Sequence, residues 1–256
     1  MSKLSEKLSL AKKVKNDEFY TYEVDIAKEM LHWFEFLRNK TIYLPYDTSE
    51  SNFFKYFLKH KEHLNLNVVI GNNVEVGCQK DVENLLKCDV VITNPPFSLL
   101  RKFEKLLDKY NKKFIIIVPL SALANRDIFS KIKDNKYFVG NEIKYFYTPT
   151  NEKKHVTTYW LNNIENINLN FPKKKKCNFD VKPEINVFDY NGKKVLNMDS
   201  YSNIYYIKPN KYYAVPISIL TVNFQKLGIQ LLEVLSSIKI DGKCKFKRVL
   251  LTKGGV

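Results

Sequence analysis

Apolar residues recur along the first two thirds of the chain with two different periods, and the alternation between them sets the expected architecture. Residues 24–37 carry Ile26, Met30, Trp33, Phe34 and Leu37 at the three-to-four spacing of an amphipathic helix, with Thr21 placed as its cap. Residues 41–46 are β-prone, 47–51 are polar, and 52–61 return to helical spacing with Phe53, Phe54, Phe57 and Leu58 inward. Strands are predicted over 67–70 and 90–93. A helix is predicted over 99–110, with Leu99, Leu100, Phe103, Leu106 and Leu107 on one face. There follow an unbroken apolar strand over 114–118, a short helix over 126–132, and strands over 142–147 and 156–161. Strand and helix alternating from 41 to 163 predict an α/β fold with a mostly parallel, doubly wound sheet.

Past a polar linker at 162–170 and the run Lys173-Lys174-Lys175-Lys176, the pattern shortens. Residues 185–190 and 193–198 flank Asn191-Gly192, a pair suited to a two-residue turn with positive φ, and so predict a hairpin. Short strands are expected over 204–207 and 212–215, a helix over 224–235, and a closing strand rich in Lys and Arg over 244–251. The chain therefore divides into a catalytic-sized domain, 1–163, and a smaller β-rich C-terminal lobe, 164–256.

Charge adds a partner to this outline. The formal net charge is +15, and residues 164–256 hold 16 Lys and Arg against 7 Asp and Glu, net +9, where the first 163 hold 26 against 20. A field concentrated in the last third attracts a polyanion, most commonly nucleic acid. No apolar run approaches the roughly 20 residues of a membrane span. The basic arm 1–15 lacks the apolar centre of a secretory leader, so the expected compartment is the cytoplasm. Cys78, Cys88, Cys177 and Cys244 are scattered without ligand spacing, and His60 and His63 have no accompanying ligands, so neither a disulfide framework nor a metal site is expected.

The chemistry gathers where the 90–93 strand meets Asn94-Pro95-Pro96-Phe97. Two prolines lack N–H groups and hold φ near −65°, so the chain can continue neither as helix nor as ladder. The Asn94 amide oxygen and the Pro95 carbonyl are two acceptors suited to a planar amino group, and Phe97 supplies a flat face beside them. Adenine N6, cytosine N4 and a glutamine side-chain amide all satisfy that inventory.

Asn94-Pro95-Pro96-Phe97 is similar to the catalytic motif of amino-group methyltransferases that use S-adenosylmethionine. Taken with Asp17 to Thr21, residues 47–57, 89–100 and 114–129, and Val215-Pro216-Ile217-Ser218, the chain resembles the EcoRI-type adenine-specific DNA methyltransferase family. The resemblance implies a Rossmann-like catalytic domain, S-adenosylmethionine as cofactor and double-stranded DNA as partner. Its reaction is methyl transfer to N6 of an adenine flipped out of the duplex, because a stacked base cannot reach a protein corner. It implies catalytic roles for Asn94, Pro95, Pro96 and Phe97. Cofactor contacts are implied at Phe19, Tyr20 and Thr21, at Asp47, Ser49, Ser51 and Asn52, at Asn94, and at Asp81 for the adenine amine. The glycine-rich loop usual after the first strand of such folds is replaced by Asp47-Thr48-Ser49-Glu50-Ser51-Asn52, whose hydroxyls stand in for backbone amides. A monomer is expected, with a restriction endonuclease of the same site as a further partner. The alternatives are the same fold acting on cytosine N4 or RNA, and a non-catalytic nucleic-acid-binding module.

Overall fold

A computed structural model of the chain describes residues 20–71, 74–148, 150–165, 167, 187–236, 238–240, 243–245 and 247–254. The arm 1–15, Phe19, linker residues 166 and 168–170, the lysines 173–176 and Cys177 lie outside the described residues. The chain forms two compact units, Met1–Pro119 with Gly140–Glu165, and Leu120–Val139 with Asn166–Val256.

The first unit is built on a six-stranded sheet. Its strands are β1 (Thr41–Leu44), β2 (Val68–Gly71), β3 (Val90–Thr93), β4 (Lys113–Pro119), β5 (Phe138–Tyr147) and β6 (Lys153–Asn162), in the order β2-β1-β3-β4-β6-β5. β1 pairs in parallel with β2 and β3, and β3 with β4, whereas β6 runs antiparallel to β4. All four residues of β3 and the centre of β4 are buried, which requires cover on both faces and explains their continuous apolar runs. The helices are α1 (Glu23–Met30), α2 (Phe34–Leu37), α3 (Asn52–Lys59), α4 (Gln79–Lys87) and α5 (Leu100–Lys109). This is the mixed α/β, Rossmann-like arrangement. Its β1 has neighbours reached in opposite directions, so a crevice opens beyond the carboxyl ends of β1 and β3, where such sheets bind ligands.

The helix expected over 24–37 is interrupted, with a 3-10 turn at Leu31–Trp33 between α1 and α2. Thr21 is no cap, since Tyr22 holds that position without a side-chain bond. What fixes this end of the chain is a pair of backbone bonds, Tyr20 N to Tyr147 O (2.8 Å) and Tyr147 N to Tyr20 O (3.1 Å). A second tie is buried: Glu29 accepts from Trp33 Nε1 at 3.2 Å and from Asn141 Nδ2 at 2.7 Å. Burial pushes the Glu29 carboxyl above the usual range, against the pull of the Asn141 and Trp33 hydrogen bonds.

The second unit contains α6 (Arg126–Lys133) and a five-stranded sheet. The strands of that sheet are β7 (Val187–Tyr190), β8 (Lys193–Asn197), β9 (Tyr212–Pro216), β10 (Ile229–Leu235) and β13 (Arg248–Lys253), in the order β10-β13-β9-β8-β7. The Asn-Gly hairpin forms as expected, with φ of 48° at Asn191 and 73° at Gly192. Three expectations fail here. Residues 229–235 are a strand, not a helix, because a bulge between Leu231 and Glu233 breaks the two-residue alternation and leaves a spacing that imitates a helix. Residues 204–207 are not a strand: the Ser200 side chain accepts from Ser202 N and starts a 3-10 turn over Tyr201–Tyr206. The closing strand is two, because β12 (Lys243–Lys245) pairs with β11 (Ile238–Ile240), while β13 inserts between β9 and β10. Among the described residues no helix is long and apolar enough to cross a membrane.

Candidate active site

The crevice beyond β1 and β3 holds a cleft of about 330 Å³ within the first unit. β1 delivers Tyr46, Asp47 and Thr48 to it, the turn and first residues of α3 deliver Glu50, Ser51, Asn52 and Phe53, and β3 runs into Asn94, Pro95 and Pro96. Tyr20, Thr21 and Tyr147 complete the lining. The size falls in the range of small-molecule sites, and the mixture of aromatic walls with a few polar groups is typical of them.

Each wall is locally determined. Asp47 N bonds to Leu44 O and Ser51 N to Thr48 O, which turns the chain sharply out of β1 and into α3. Ser51 caps α3 by accepting from Phe54 N at 3.1 Å. Gly71, at the end of β2, lets the Phe54 ring lie against the backbone, since a Cβ there would overlap that ring. At the corner the Pro96 carbonyl is taken by Leu99 N at 2.9 Å as the chain enters α5, while among the described residues no backbone donor reaches the Pro95 carbonyl.

Asp47 links the two strand ends. Asp47 is 7% exposed and its carboxylate accepts from Thr93 Oγ1 at 3.1 Å, so the residue before Asn94 touches the third residue past β1. Burial raises its pKa to about 6, with hydrogen bonds from Ser51 and Thr93 working in the opposite direction. Asn52 ties the far wall, donating to Thr21 O at 2.9 Å and to Tyr147 Oη at 3.0 Å. Two hydroxyls on the lining, Thr21 Oγ1 and Tyr46 Oη, are buried without a protein partner among the described residues. Burial, then the nearby Asp81, pushes the Tyr46 phenol above its ordinary range, so it stays a neutral donor.

Of the expected site residues, Tyr20, Thr21, Asp47, Ser51, Asn52, Asn94, Pro95 and Pro96 line this one cleft. Ser49 is exposed in the turn, and Phe97 is half-buried beyond the corner, outside the lining. Asp81 stands apart: it is 1% exposed, one oxygen accepting from Tyr43 Oη and the other from Gly77 N, both at 2.7 Å. Sequence reasoning missed Tyr46, Phe53 and Tyr147 as lining residues, and Thr93 as the partner of Asp47. Tyr147 carries no motif, and only its position at the end of a strand brings it across from the corner.

Buried hydroxyls in a folded protein are nearly always paired, so the unpartnered Thr21 and Tyr46 hydroxyls call for a polar ligand. S-adenosylmethionine fits the donor set, with carboxylates at Asp47 and Glu50 for its ammonium and aromatic faces for its adenine and its sulfonium. A doubly wound sheet with this cleft at its switch point and an Asn-Pro-Pro corner on the rim defines the class of Rossmann-like amino-group methyltransferases.

Within that class, the chain belongs to the family of the adenine-specific methyltransferase EcoRI, whose model matches residues 7–85 and 72–218 in two overlapping segments. It is similar to the type II methyltransferase M.EcoRI of Escherichia coli, 31% identical over 177 residues, 52% of this chain and 54% of that protein. It is also similar to the type II methyltransferase M.MgeORF184P of Mycoplasma genitalium, 30% identical over 229 residues, 79% of this chain and 70% of that protein. The chain thus spans about half the length of the first relative and rather more of the second. Among solved structures, a putative RNA methyltransferase from Pyrococcus horikoshii matches 56% of this chain and 83% of its own at 15% identity and a TM-score of 0.32, a likeness too slight to bear on function.

Proposed function

We propose that this chain transfers a methyl group from S-adenosylmethionine to N6 of adenine in duplex DNA, at a defined site as in restriction and modification. The observation that carries this reading is the placement of Asn94, Pro95 and Pro96 on the rim of the cleft beyond β1 and β3. Asn94 Oδ1 and the Pro95 carbonyl accept the two hydrogens of the target amine. Those bonds draw the nitrogen lone pair out of conjugation with the ring and aim it into the cleft. The cofactor, when bound, would supply an activated methyl group on its sulfonium for that nitrogen to take in exchange for one amine proton. Orientation is the main contribution of the protein, and it is large when reacting groups are held in line. Asp47, Ser51 and Asn52, with Tyr20 and Thr21, would hold the cofactor. Phe97, half-buried beyond the corner, stacks on the flipped base, where stacking contributes about 1–3 kcal/mol.

The finer assignments belong to the same proposal. Residues 1–163 carry the chemistry and 164–256 select the target, a division supported by the net +9 of the latter range and by its hairpin. One chain supplies both cleft and corner, which supports action as a monomer. The cytoplasm, where host DNA lies, is the working compartment, and an endonuclease of the same site is the expected companion.

The test is Asn94→Ala, assayed by nucleoside mass spectrometry of treated duplex alongside a cofactor titration. Methylation should fall by at least about 100-fold, as expected when oriented reacting groups are lost, while cofactor binding largely persists. Turnover close to the parent would overturn the mechanism. Product appearing as N4-methylcytosine would move the acceptor, and absence of cofactor binding by the parent chain would favour the non-catalytic alternative.

A further inference from the structure

The first unit carries a surface that the transfer mechanism does not use, at the outer end of the β5–β6 hairpin. Tyr145 is 44% exposed, an unusual setting for a large ring at a sheet edge. It is held on two sides, with Lys153 Nζ 4.0 Å from its ring centroid and the His155 ring edge-on at 5.3 Å. Lys144, Lys153, Lys154 and His155 are all exposed there. Among the described residues Lys144 pairs with Glu142 at 3.2 Å, whereas Lys153 and Lys154 pair with no carboxylate. Glu152 is the nearby acid outside the pair. Holding a long lysine chain in one place costs conformational entropy, and here the Tyr145 ring offsets that cost without neutralising the ammonium.

The place of this cluster identifies its partner. Tyr145 and Tyr147 are two residues apart on one strand, hence on the same face and about 7 Å apart along it. Tyr147 lines the cleft that holds the Asn94 corner. A polyanion that presents a base to the corner therefore runs close to Lys153 on that face, with Lys154 next to it at the exposed end of the hairpin. Ammonium groups with no carboxylate partner among the described residues, beside an exposed aromatic ring, match a nucleic-acid backbone better than an apolar partner or an acidic loop of the same chain.

We propose that the outer end of the β5–β6 hairpin is a DNA-contact surface of the catalytic unit, with Lys153 and Lys154 binding backbone phosphates that flank the flipped nucleotide and Tyr145 positioning Lys153. This rests on the reading of the chain as a DNA methyltransferase. It places part of the phosphate grip beside the chemistry, separate from the basic last third of the sequence.

The experiment is salt-titrated binding of a mixed-sequence duplex to the full chain, read by fluorescence anisotropy, with a cofactor titration in parallel. Replacing Lys153→Gln and Lys154→Gln together should lower the slope of log affinity against log salt by about 1.8, at about 0.9 per neutralised duplex phosphate. Cofactor affinity should not change. Tyr145→Ala should lower the slope by about 0.9 by freeing Lys153 from its phosphate, and Tyr145→Phe should restore it. If the parent binds and methylates DNA but the double variant keeps the parental slope, this surface plays no part and the methyltransferase reading stands. A loss of cofactor affinity equal to the loss of DNA affinity would mark the hairpin as structural and also overturn the proposal. If the parent binds no duplex at all, both readings fall together.

Discussion

Asp47 concentrates the conflict between folding and chemistry into one side chain. Its folded pKa of about 6 lies above the ordinary 3.8, so the folded state holds this proton more tightly than the unfolded state does. The sign follows: stability from this group is fully present below about pH 3.8 and is lost as pH rises through about 6, a change on the order of 3 kcal/mol. Asp47→Asn should therefore unfold at higher denaturant than the parent at pH 8 and lose that advantage at pH 4, while binding the cofactor less well at pH 8, where the parent side chain is ionised. Urea titrations at the two pH values check this, and a parent advantage at pH 8 would contradict it. Thr93 enters the same account. Thr93→Val keeps the shape but removes the donor to Asp47, leaving a buried acceptor short of a partner at about 1–3 kcal/mol, and Thr93→Ser should recover most of the loss.

Elements meet their demands here through single residues at their ends. β2 must stop beneath α3, and Gly71 permits it because the Phe54 ring occupies the space of a side chain. Gly71→Ala should cost about 1–3 kcal/mol by overpacking and should weaken cofactor binding through displacement of α3. At Gly192 nothing lies within 4 Å of an added Cβ, so an alanine there meets only the strain of φ at 73°, about 1 kcal/mol, with cofactor binding unchanged. Comparing the two by denaturation and cofactor titration separates crowding at the site from strain at the hairpin turn of the second unit. Legibility from sequence divides along the same line. The Asn-Gly hairpin was readable because its cause lies in two adjacent residues. β10 was not, because its bulge exists only through pairing with β13, and without it the adjacent Leu231 and Leu232 break the strand alternation and read as helical spacing.

At the scale of the whole molecule, the proposed division of labour gives charge the affinity for DNA and the hairpin of the second unit the choice of site. Replacing Lys173 to Lys176 with glutamine should weaken binding to all duplex sequences alike and lower the salt slope by about 0.9 for each phosphate no longer neutralised. Site preference should stay as it was. Substitution at Asp189, Tyr190 or Lys193 should do the reverse, blurring the methylated sequence with a smaller change in slope. Mapping methylated positions in host DNA alongside salt titration tests the pair, and a lysine variant with altered site choice would invert the assignment. The sequence by itself determined the alternation of strand and helix, the basic last third and the Asn94-Pro95-Pro96-Phe97 corner, because periodicity, net charge and proline geometry are properties of neighbouring residues. Only the tertiary structure decided that Asp47 meets Thr93 across 46 positions, that Asn52 bonds to Tyr147 across 95, and that Asp81 turns away from the cleft to Tyr43 and Gly77. Those pairings come from which strands lie side by side in the sheet, and strand order is a choice among arrangements of similar local propensity that only the packed whole can settle.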